Sequence, residues 1–357
     1  MDVGPIPSVA AVEFPSAGAA ARRVAGVAAA ARIVRELAEA GFAAAWVSLP
    51  EGETIDAATK ADLDRLAGAL EVRIGKPPAG EPAAILPFDQ LVPARAIPAF
   101  LAGIGEAPDA IDLASRRAGA QVLRRTGKAG DGPVSRWLNR PVSRRLSELL
   151  LAVPGIRPIH ATAGTVAITL AMFAALIGGG AGGLVAGGLL FQAASIFDGV
   201  DGEIARATFR SSHAGATLDS LVDVATNALM IVGVTVNLAL AGHDRAAVLG
   251  AWGLLLFVAG QAAIGWRAAR QNAPVGFDTL KHHYRARMAG PLRARLMGFV
   301  TVVSSRDFFA LLFAALILAG WPIAVLYIFA AAATIWIWFV LASLLVPSDA
   351  ALAADLG

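Results

Sequence analysis

From about Pro158 onward the chain keeps returning to apolar runs of roughly 20 residues, the length an α-helix needs to cross a bilayer's hydrocarbon core. That pattern constrains the fold severely. In hydrocarbon each backbone N–H and C=O must be satisfied within the segment, so such runs are helices. Six can be placed, near 158–178, 182–200, 217–241, 246–267, 306–320 and 322–346. The composition agrees: only 16% of residues are charged and the mean hydropathy is +0.64, whereas a soluble domain carries about 25% charged residues.

The connections sort by charge. Residues 178–183 and 320–322 carry none, and 242–245 is nearly neutral. The connection at 207–214 has Arg210 beside Arg206, and the long one at 268–305 holds Arg270, Lys281, Arg285, Arg287, Arg293 and Arg295. Basic loops stay on the cytoplasmic side. The region before the first span, the 207–214 connection and the long basic loop are therefore expected in the cytoplasm, and an even number of spans returns the carboxyl terminus there. The expected location is the plasma (inner) membrane, with membrane lipids as partners. A net charge of +3 and a pI of about 9.7 fit attraction to a membrane surface, with no nucleic-acid partner. Absence of cysteine excludes disulfides, thiol catalysis and zinc–thiolate sites. The first residues lack a basic stretch followed by a continuous apolar core, so no cleaved signal peptide is expected.

Residues 1–130 are different. Their apolar runs are short and broken by Pro and Gly. Strands are expected at 9–14, 43–49 and 71–75. Helices are expected at 27–40, with Arg32, Arg35, Glu36 and Glu39 on the wet side, and at 57–70. Residues 83–86 lead into Pro87-Phe88-Asp89, and helical pattern resumes at Ala94 and over 111–125. Alternating strands and helices imply a soluble α/β domain with a mainly parallel sheet. Residues 131–157 form a juxtamembrane linker, in which Trp137 and a basic set (Arg136, Arg140, Arg144, Arg145) flank an apolar stripe at Leu146, Leu149 and Leu150. That pattern suits a helix lying in the headgroup plane and offers arginines to anionic lipid or a phosphorylated substrate. Residues 158–357 form the membrane domain.

Chemistry concentrates between Asp198 and Asp223: Asp198-Gly-Val-Asp201-Gly202-Glu-Ile-Ala205-Arg206, then Gly215-Ala-Thr-Leu-Asp219-Ser-Leu-Val-Asp223. On helices, Asp198 and Asp201 form an i,i+3 pair and Asp219 and Asp223 an i,i+4 pair, so each pair projects from one face. Four carboxylates at a membrane boundary repel one another and are expensive to desolvate. Divalent cations relieve both penalties, and hard oxygen donors select Mg²⁺ or Mn²⁺. Gly202 and Gly215 leave room for a bulky anion to approach the backbone, and Arg206 offers a fork to phosphate. A cation-coupled transporter using the acidic cluster is the alternative from a different class.

The spacing D-x2-D-G-x2-A-R-x8-G-x3-D-x3-D resembles the signature of the CDP-alcohol phosphotransferase superfamily (the CDP-alcohol phosphatidyltransferases) at all eight fixed positions. The resemblance implies a membrane transferase that moves a substituted phosphate from a CDP-alcohol to an acceptor alcohol or polyol phosphate and releases CMP, in phospholipid or inositol-phosphate-type biosynthesis. It implies a two-metal site of Mg²⁺ or Mn²⁺ held by Asp198, Asp201, Asp219 and Asp223, with Asp223 also the catalytic base. Gly202, Ala205, Arg206 and Gly215 would line the CDP site, and a homodimer is expected. One departure stands before the first span. The family's Pro-Asn-x-x-Thr is here Pro158-Ile159-His160-Ala-Thr162, with Ile159 in place of Asn.

The first third is similar to the sugar-nucleotidyltransferase fold through Val24-Ala-Gly26-Val27, Arg32-Ile-Val-Arg-Glu-Leu-Ala-Glu-Ala-Gly41 and Ala84-Ile-Leu-Pro-Phe-Asp89. Where that fold has a glycine-rich loop ending in Arg, this chain has Ser16-Ala-Gly18-Ala-Ala-Ala-Arg22. Without the glycines, backbone amides cannot cradle a triphosphate. The domain is therefore read as degenerate and Asp89 as structural. The fused arrangement, with its Asp-Gly…Asn-Arg…Ser junction, resembles the di-myo-inositol-phosphate-phosphate synthases. Other features read as packing or solvated surface: Gly183-x3-Gly187, Trp336 and Trp338, and Lys281-His282-His283.

Overall fold

The computed structural model describes residues 8–81, 83–103, 107, 109–127, 131–271 and 305–344. It divides into two compact units. The first holds the described residues up to 127 together with 144–156 and 203–210, and the second holds the remainder.

The amino-terminal unit is built on a four-stranded parallel sheet. Its strands β1 (Val9–Glu13), β4 (Ala44–Ser48), β5 (Glu71–Ile74) and β6 (Ala84–Leu86) lie in the order β5-β4-β1-β6. The register pairs Val9 with Ala44 and Ala10 with Ala84. Parallel neighbours need crossovers, and helices α2 (Ala29–Glu39) and α3 (Ala57–Leu66) supply them. Asp56 caps α3 by accepting from the Thr59 amide at 2.8 Å. Leu37, Leu63, Val12 and Val47 fill the core. The expected strands are present and the helices expected at 27–40 and 57–70 appear as shorter α2 and α3, but residues 27–28 are extended, and of the helical pattern over 111–125 only 118–125 is helix while 111–112 is strand. Two short ladders have no alternation that would announce them: β2 (Arg23–Val24) with β3 (Val27–Ala28), and β7 (Gln90–Leu91) with β8 (Ile111–Asp112). Helices α4 (Ile97–Leu101) and α5 (Ala118–Arg125) complete this part.

The wet side expected for α2 holds only in part: Glu36 is half-buried, its carboxylate accepting from the Ala94 amide at 2.7 Å. Arg32 is not on the wet side of α2 but 2% exposed. Helical phase places it against the β2–β3 hairpin, where its guanidinium donates to the carbonyls of Val24 (2.7 Å), Ala25 (3.1 Å) and Ala207 (2.7 Å). Burial pushes its pKa down to about 10, so it remains charged at neutral pH. Arg35 does face water, bonded to Glu39 four residues on at 2.7 Å. The Ser16–Arg22 segment is no glycine loop: Ala17–Ala21 forms helix α1, and the Glu53 carboxylate already accepts from the Ala17 amide.

From residue 135 onward the described chain is helical. Helices α7 (Pro158–Gly178), α8 (Gly180–Ala207), α9 (His213–Leu240), α10 (Asp244–Gln271), α11 (Arg306–Leu318) and α12 (Pro322–Leu344) follow a shorter helix, α6 (Arg140–Leu151). Among the described residues, five stretches are long and apolar enough to cross a membrane: Pro158–Gly178, Gly180–Ala207, His213–Leu240, Asp244–Arg267 and Pro322–Leu341. The architecture is therefore that of a multi-pass membrane protein with an amino-terminal α/β part. The sixth expected span, 306–320, appears as α11, whose 13 residues reach only about 20 Å at 1.5 Å per residue. Residues 272–304, which carry most of the long basic loop and Lys281-His282-His283, lie outside the described residues.

Helix contacts follow small residues. A Cβ on Gly187 would collide with the Leu176 side chain, and one on Gly164 would lie 2.5 Å from the Phe197 ring. These glycines therefore allow close approach between α7 and α8. Buried polar groups are paired: Asn237 donates to the carbonyls of Leu176 (2.6 Å) and Gly180 (3.0 Å), and the Thr169 and Thr226 hydroxyls bond at 2.9 Å. Trp336 packs on Phe257 with centroids 5.9 Å apart, while Trp338 points outward.

The linker opens with a π-helical turn, Ser135–Asn139, and continues into α6. Its amphipathicity is inverted relative to a soluble helix. Ser135, Asn139, Ser143 and Ser147 are buried, while Trp137, Leu138, Val142 and Leu149 are exposed. Leu146 and Leu150, expected in the apolar stripe, are half-buried. An exposed apolar face on a short helix that precedes the first apolar span in sequence suits the headgroup boundary.

Candidate active site

Both halves of the acidic motif lie on unbroken helices, Asp198 and Asp201 on α8 and Asp219 and Asp223 on α9. The turn between these helices is shorter than the sequence suggested. Ser212 caps α9 by accepting from the Gly215 amide at 3.0 Å, so Gly215 occupies the third helical position.

Asp198, Asp219 and Asp223 converge: one oxygen from each lies within 4.8 Å of the other two. Ligand oxygens around one divalent ion, at bond lengths of 2.0–2.6 Å, stand roughly 4–5 Å apart at most. The spacing and the purely carboxylate donor set therefore fit a hard cation. Asp201 is turned elsewhere. It is 8% exposed and accepts from the Thr162 hydroxyl at 2.7 Å. Thr162 belongs to the segment in which Ile159 replaces Asn, and Ile159 itself is exposed. His160 accepts through Nδ1 from the Arg157 amide at 3.0 Å, capping α7.

Arg306 was not anticipated. Its guanidinium stands between the two helices, 2.7 Å from Asp198 and in contact with Asp223. Its side chain is 15% exposed. It is the first residue of α11, just beyond the basic stretch of sequence in which it reads as one more loop charge. Only its position, at the start of an apolar helix, could have singled it out. The next residue anchors it. Asp307 accepts from Asn139 Nδ2 and from the Ser195 hydroxyl, both at 3.0 Å, and Gln192 donates to Asn139 Oδ1 at 3.1 Å. Arg140 grips Asp131 through two bonds of 2.8 and 3.0 Å and donates to the Gly199 carbonyl at 3.3 Å. A Cβ on Gly199 would lie 2.8 Å from that guanidinium.

Gly202 and Ala205 are half-buried on α8. Arg206, one turn past Gly202, has its Nε donating to the Thr126 carbonyl at 2.6 Å.

The model of the CDP-alcohol phosphatidyltransferase family matches residues 157–346, more than half of the chain. The chain belongs to that family. Among curated proteins, "Bifunctional IPC transferase and DIPP synthase" of Thermococcus kodakarensis is 39% identical over 128 residues, covering 35% of this chain and 28% of that protein. The proteins of the same name from Rubrobacter xylanophilus and Aquifex aeolicus are 38% identical over 159 residues (43% and 33% of the two chains) and 46% identical over 94 residues (26% and 21%). The chain thus spans about a third or less of the curated relatives it matches. Within the family match lie Thr162, the whole motif from Asp198 to Asp223, and Arg306.

Proposed function

We propose that the chain is a membrane-embedded CDP-alcohol phosphotransferase. The observation that carries the proposal is the convergence of Asp198, Asp219 and Asp223 on two adjoining apolar helices. In the proposed reaction an acceptor hydroxyl attacks the phosphorus attached to the donor alcohol. The new O–P bond forms as the bond to the CMP oxygen breaks, CMP leaves with that electron pair, and the hydroxyl proton passes to Asp223. Asp198, Asp201, Asp219 and Asp223 would hold two Mg²⁺ or Mn²⁺ ions, which when bound neutralise the diphosphate and the departing oxygen. Asp201 accepts from Thr162 through one carboxylate oxygen and would offer the other. Gly202, Ala205, Arg206 and Gly215 would receive the CDP moiety. Arg206 adds a phosphate fork, and Gly215 leaves the first turn of α9 uncovered.

The relatives' names favour an alcohol of the inositol-phosphate type as donor or acceptor. We assign residues 1–130 to a degenerate nucleotidyltransferase-like domain, 131–157 to the juxtamembrane linker and 158–357 to the transferase domain. The domain, the acids and the basic loop are placed on the cytoplasmic side of the inner membrane, in a homodimer. The helix α1 that replaces a glycine loop, with Glu53 on its first amide, supports the loss of nucleotidyl transfer.

The decisive experiment incubates the purified protein in lipid nanodiscs with CDP-inositol or CDP-diacylglycerol, each with inositol phosphate or a polyol as acceptor, and measures CMP. Release that requires Mg²⁺ or Mn²⁺ and an acceptor, and is abolished by Asp223→Asn with donor binding kept, is expected. Cation flux without CMP release would favour a transporter and sink the proposal.

A further inference from the structure

Among the described residues, two that are not glycine adopt positive φ, Ala25 (φ 45°) and Phe209 (φ 55°), and both belong to the amino-terminal unit. Such strain persists where surrounding contacts enforce it. Phe209 ends α8. Its amide bonds to the Arg206 carbonyl at 3.3 Å and the Arg210 amide to the Ala205 carbonyl at 2.7 Å, a left-handed helix ending in which glycine is the usual residue. Ala25 and Gly26 turn the β2–β3 hairpin, and a Cβ on Gly26 would lie 3.3 Å from the Thr208 methyl.

The α/β domain's arginines close this junction. Arg32, fully enclosed, donates to the Ala25 carbonyl on one side and the Ala207 carbonyl on the other. Arg65 donates to the Thr208 carbonyl at 2.9 Å and to the Phe209 carbonyl at 3.4 Å, while its other arm holds Asp62 at 2.9 Å. Arg32 and Arg35 place their guanidinium carbons 5.6 and 5.8 Å from the centre of the Phe209 ring, a cation–π distance. Cations are favoured at the carbonyl end of a helix dipole, so charge, hydrogen bonds and ring contacts act in one direction. The carbonyl of Thr126, at the end of α5, fixes Arg206 in the same turn.

We infer that the α/β domain serves as a positioning clamp for the last turn of α8: Arg32 and Arg65 hold the helix end, and Thr126 sets Arg206, so that the domain builds part of the donor subsite. The inference rests on the transferase function proposed for the chain. It assigns the domain a purpose that does not require nucleotidyl transfer. Arg32 and Arg65 are positioning residues, two or more helical turns from Asp198 along α8, and their loss should affect donor affinity more than chemistry.

The test uses the full chain in nanodiscs, with Arg32→Ala, Arg65→Ala and, as control, Arg73→Ala, an arginine of the same domain paired with Glu71. Loss of a helix cap corresponds to about a tenfold change in local opening. Both clamp variants should show about tenfold faster hydrogen exchange at the Phe209 and Arg210 amides and an about tenfold higher KM for the CDP-alcohol. kcat and the acceptor KM should stay within about twofold, and Arg73→Ala should match the parent. Phe209→Gly, which adopts the left-handed ending without a clamp, should restore protection and donor KM in the Arg32→Ala background. If Arg32→Ala unfolds α2, the partly exposed Arg65 decides. Unchanged exchange at 209–210 overturns the clamp, and faster exchange with an unchanged donor KM overturns its role in the donor subsite. A parent protein that releases no CMP refutes the transferase assignment instead and leaves the exchange measurement to judge the clamp.

Discussion

Replacing Arg306 by glutamine would leave Asp198 and Asp223 facing each other without the guanidinium between them. At 2.7 Å and an effective dielectric of about 20, one such contact has a Coulomb energy of about 6 kcal/mol, and desolvation of the three groups takes back much of it. Removing one partner of a buried pair typically costs 3–5 kcal/mol. Here the carboxylates are 21% and 32% exposed, so water screens the charges left behind and about 2–3 kcal/mol is expected. For a domain of this size that lowers the melting temperature by about 5–10 °C in EDTA. A divalent cation should cancel the deficit. In the parent the ion must displace Arg306 from the carboxylates; in Arg306→Gln it meets them unpaired. The same 2–3 kcal/mol then appears as a roughly 30- to 150-fold tighter apparent affinity for Mn²⁺. Thermal unfolding in EDTA and in saturating Mg²⁺, with Mn²⁺ titration followed by electron paramagnetic resonance, measures both. An equal melting deficit with and without metal, or an unchanged Mn²⁺ affinity, would show that guanidinium and cation do not compete for Asp198 and Asp223.

Thr162→Val removes the hydroxyl that Asp201 accepts from. A charge-assisted hydrogen bond contributes about 1.5–3 kcal/mol, so CMP release is expected to fall about tenfold or more with the helical circular dichroism unchanged; normal turnover would mean Asp201 needs no anchor. Gly164→Val drives its side chain into the Phe197 ring and should destabilise the α7–α8 contact by about 1–3 kcal/mol, read as a lower melting temperature, whereas a neutral result would show that the helices can part. Burial raises the pKa of Glu36 although the Ala94 amide bonds to it at 2.7 Å. The fold therefore favours the protonated acid, and the penalty grows as pH rises from 4.5 and is complete only above the raised value. Glu36→Gln should stabilise the domain by about 0.5 kcal/mol at pH 7 and by less at pH 4; equal effects at both would remove burial as the cause. Asp62 has the opposite sign. Burial raises its pKa, but Arg65, the Ala28 amide and Arg23 together outweigh that and lower it, so its contribution holds above pH 3.8 and disappears as pH falls through the lowered value. Asp62→Asn should flatten that acid limb in a pH–melting profile.

What could be read from the sequence followed from local periodicity. Five of the six expected spans coincide with long helices because an apolar run of that length has no other way to satisfy its backbone in lipid. The α/β alternation of the first third followed from short apolar runs between turn residues. Acid pairs at i,i+3 and i,i+4 stayed on helices, which is why Asp198, Asp219 and Asp223 meet. The misses are all long-range. Arg32 sits in a charged run with Arg35, Glu36 and Glu39 that reads as a wet face, and the β2–β3 hairpin together with Ala207, 175 residues later, makes it a core residue. Arg306 follows a stretch of sequence rich in arginine, and nothing in its local sequence pattern shows that it meets Asp198.

The same asymmetry explains the linker. Read alone, residues 135–147 present serines and an asparagine at helical spacing, which in a soluble protein would face water. Near a bilayer the solvent on one side is hydrocarbon, so Trp137, Leu138, Val142 and Leu149 turn outward while Asn139 and its neighbours satisfy Ser195 and Asp307. Asn139→Leu, an apolar side chain of similar volume, ought then to damage the protein more than Leu149→Asn does. The first removes the Asn139 bonds to Asp307 and Ser195 at about 1–3 kcal/mol and loosens the start of α11 that carries Arg306, whereas the second changes only an exposed face. Melting temperatures of the two variants in the same lipid decide it. A greater loss for Leu149→Asn would mean that membrane contact, rather than the Asn139 network, holds the linker in place.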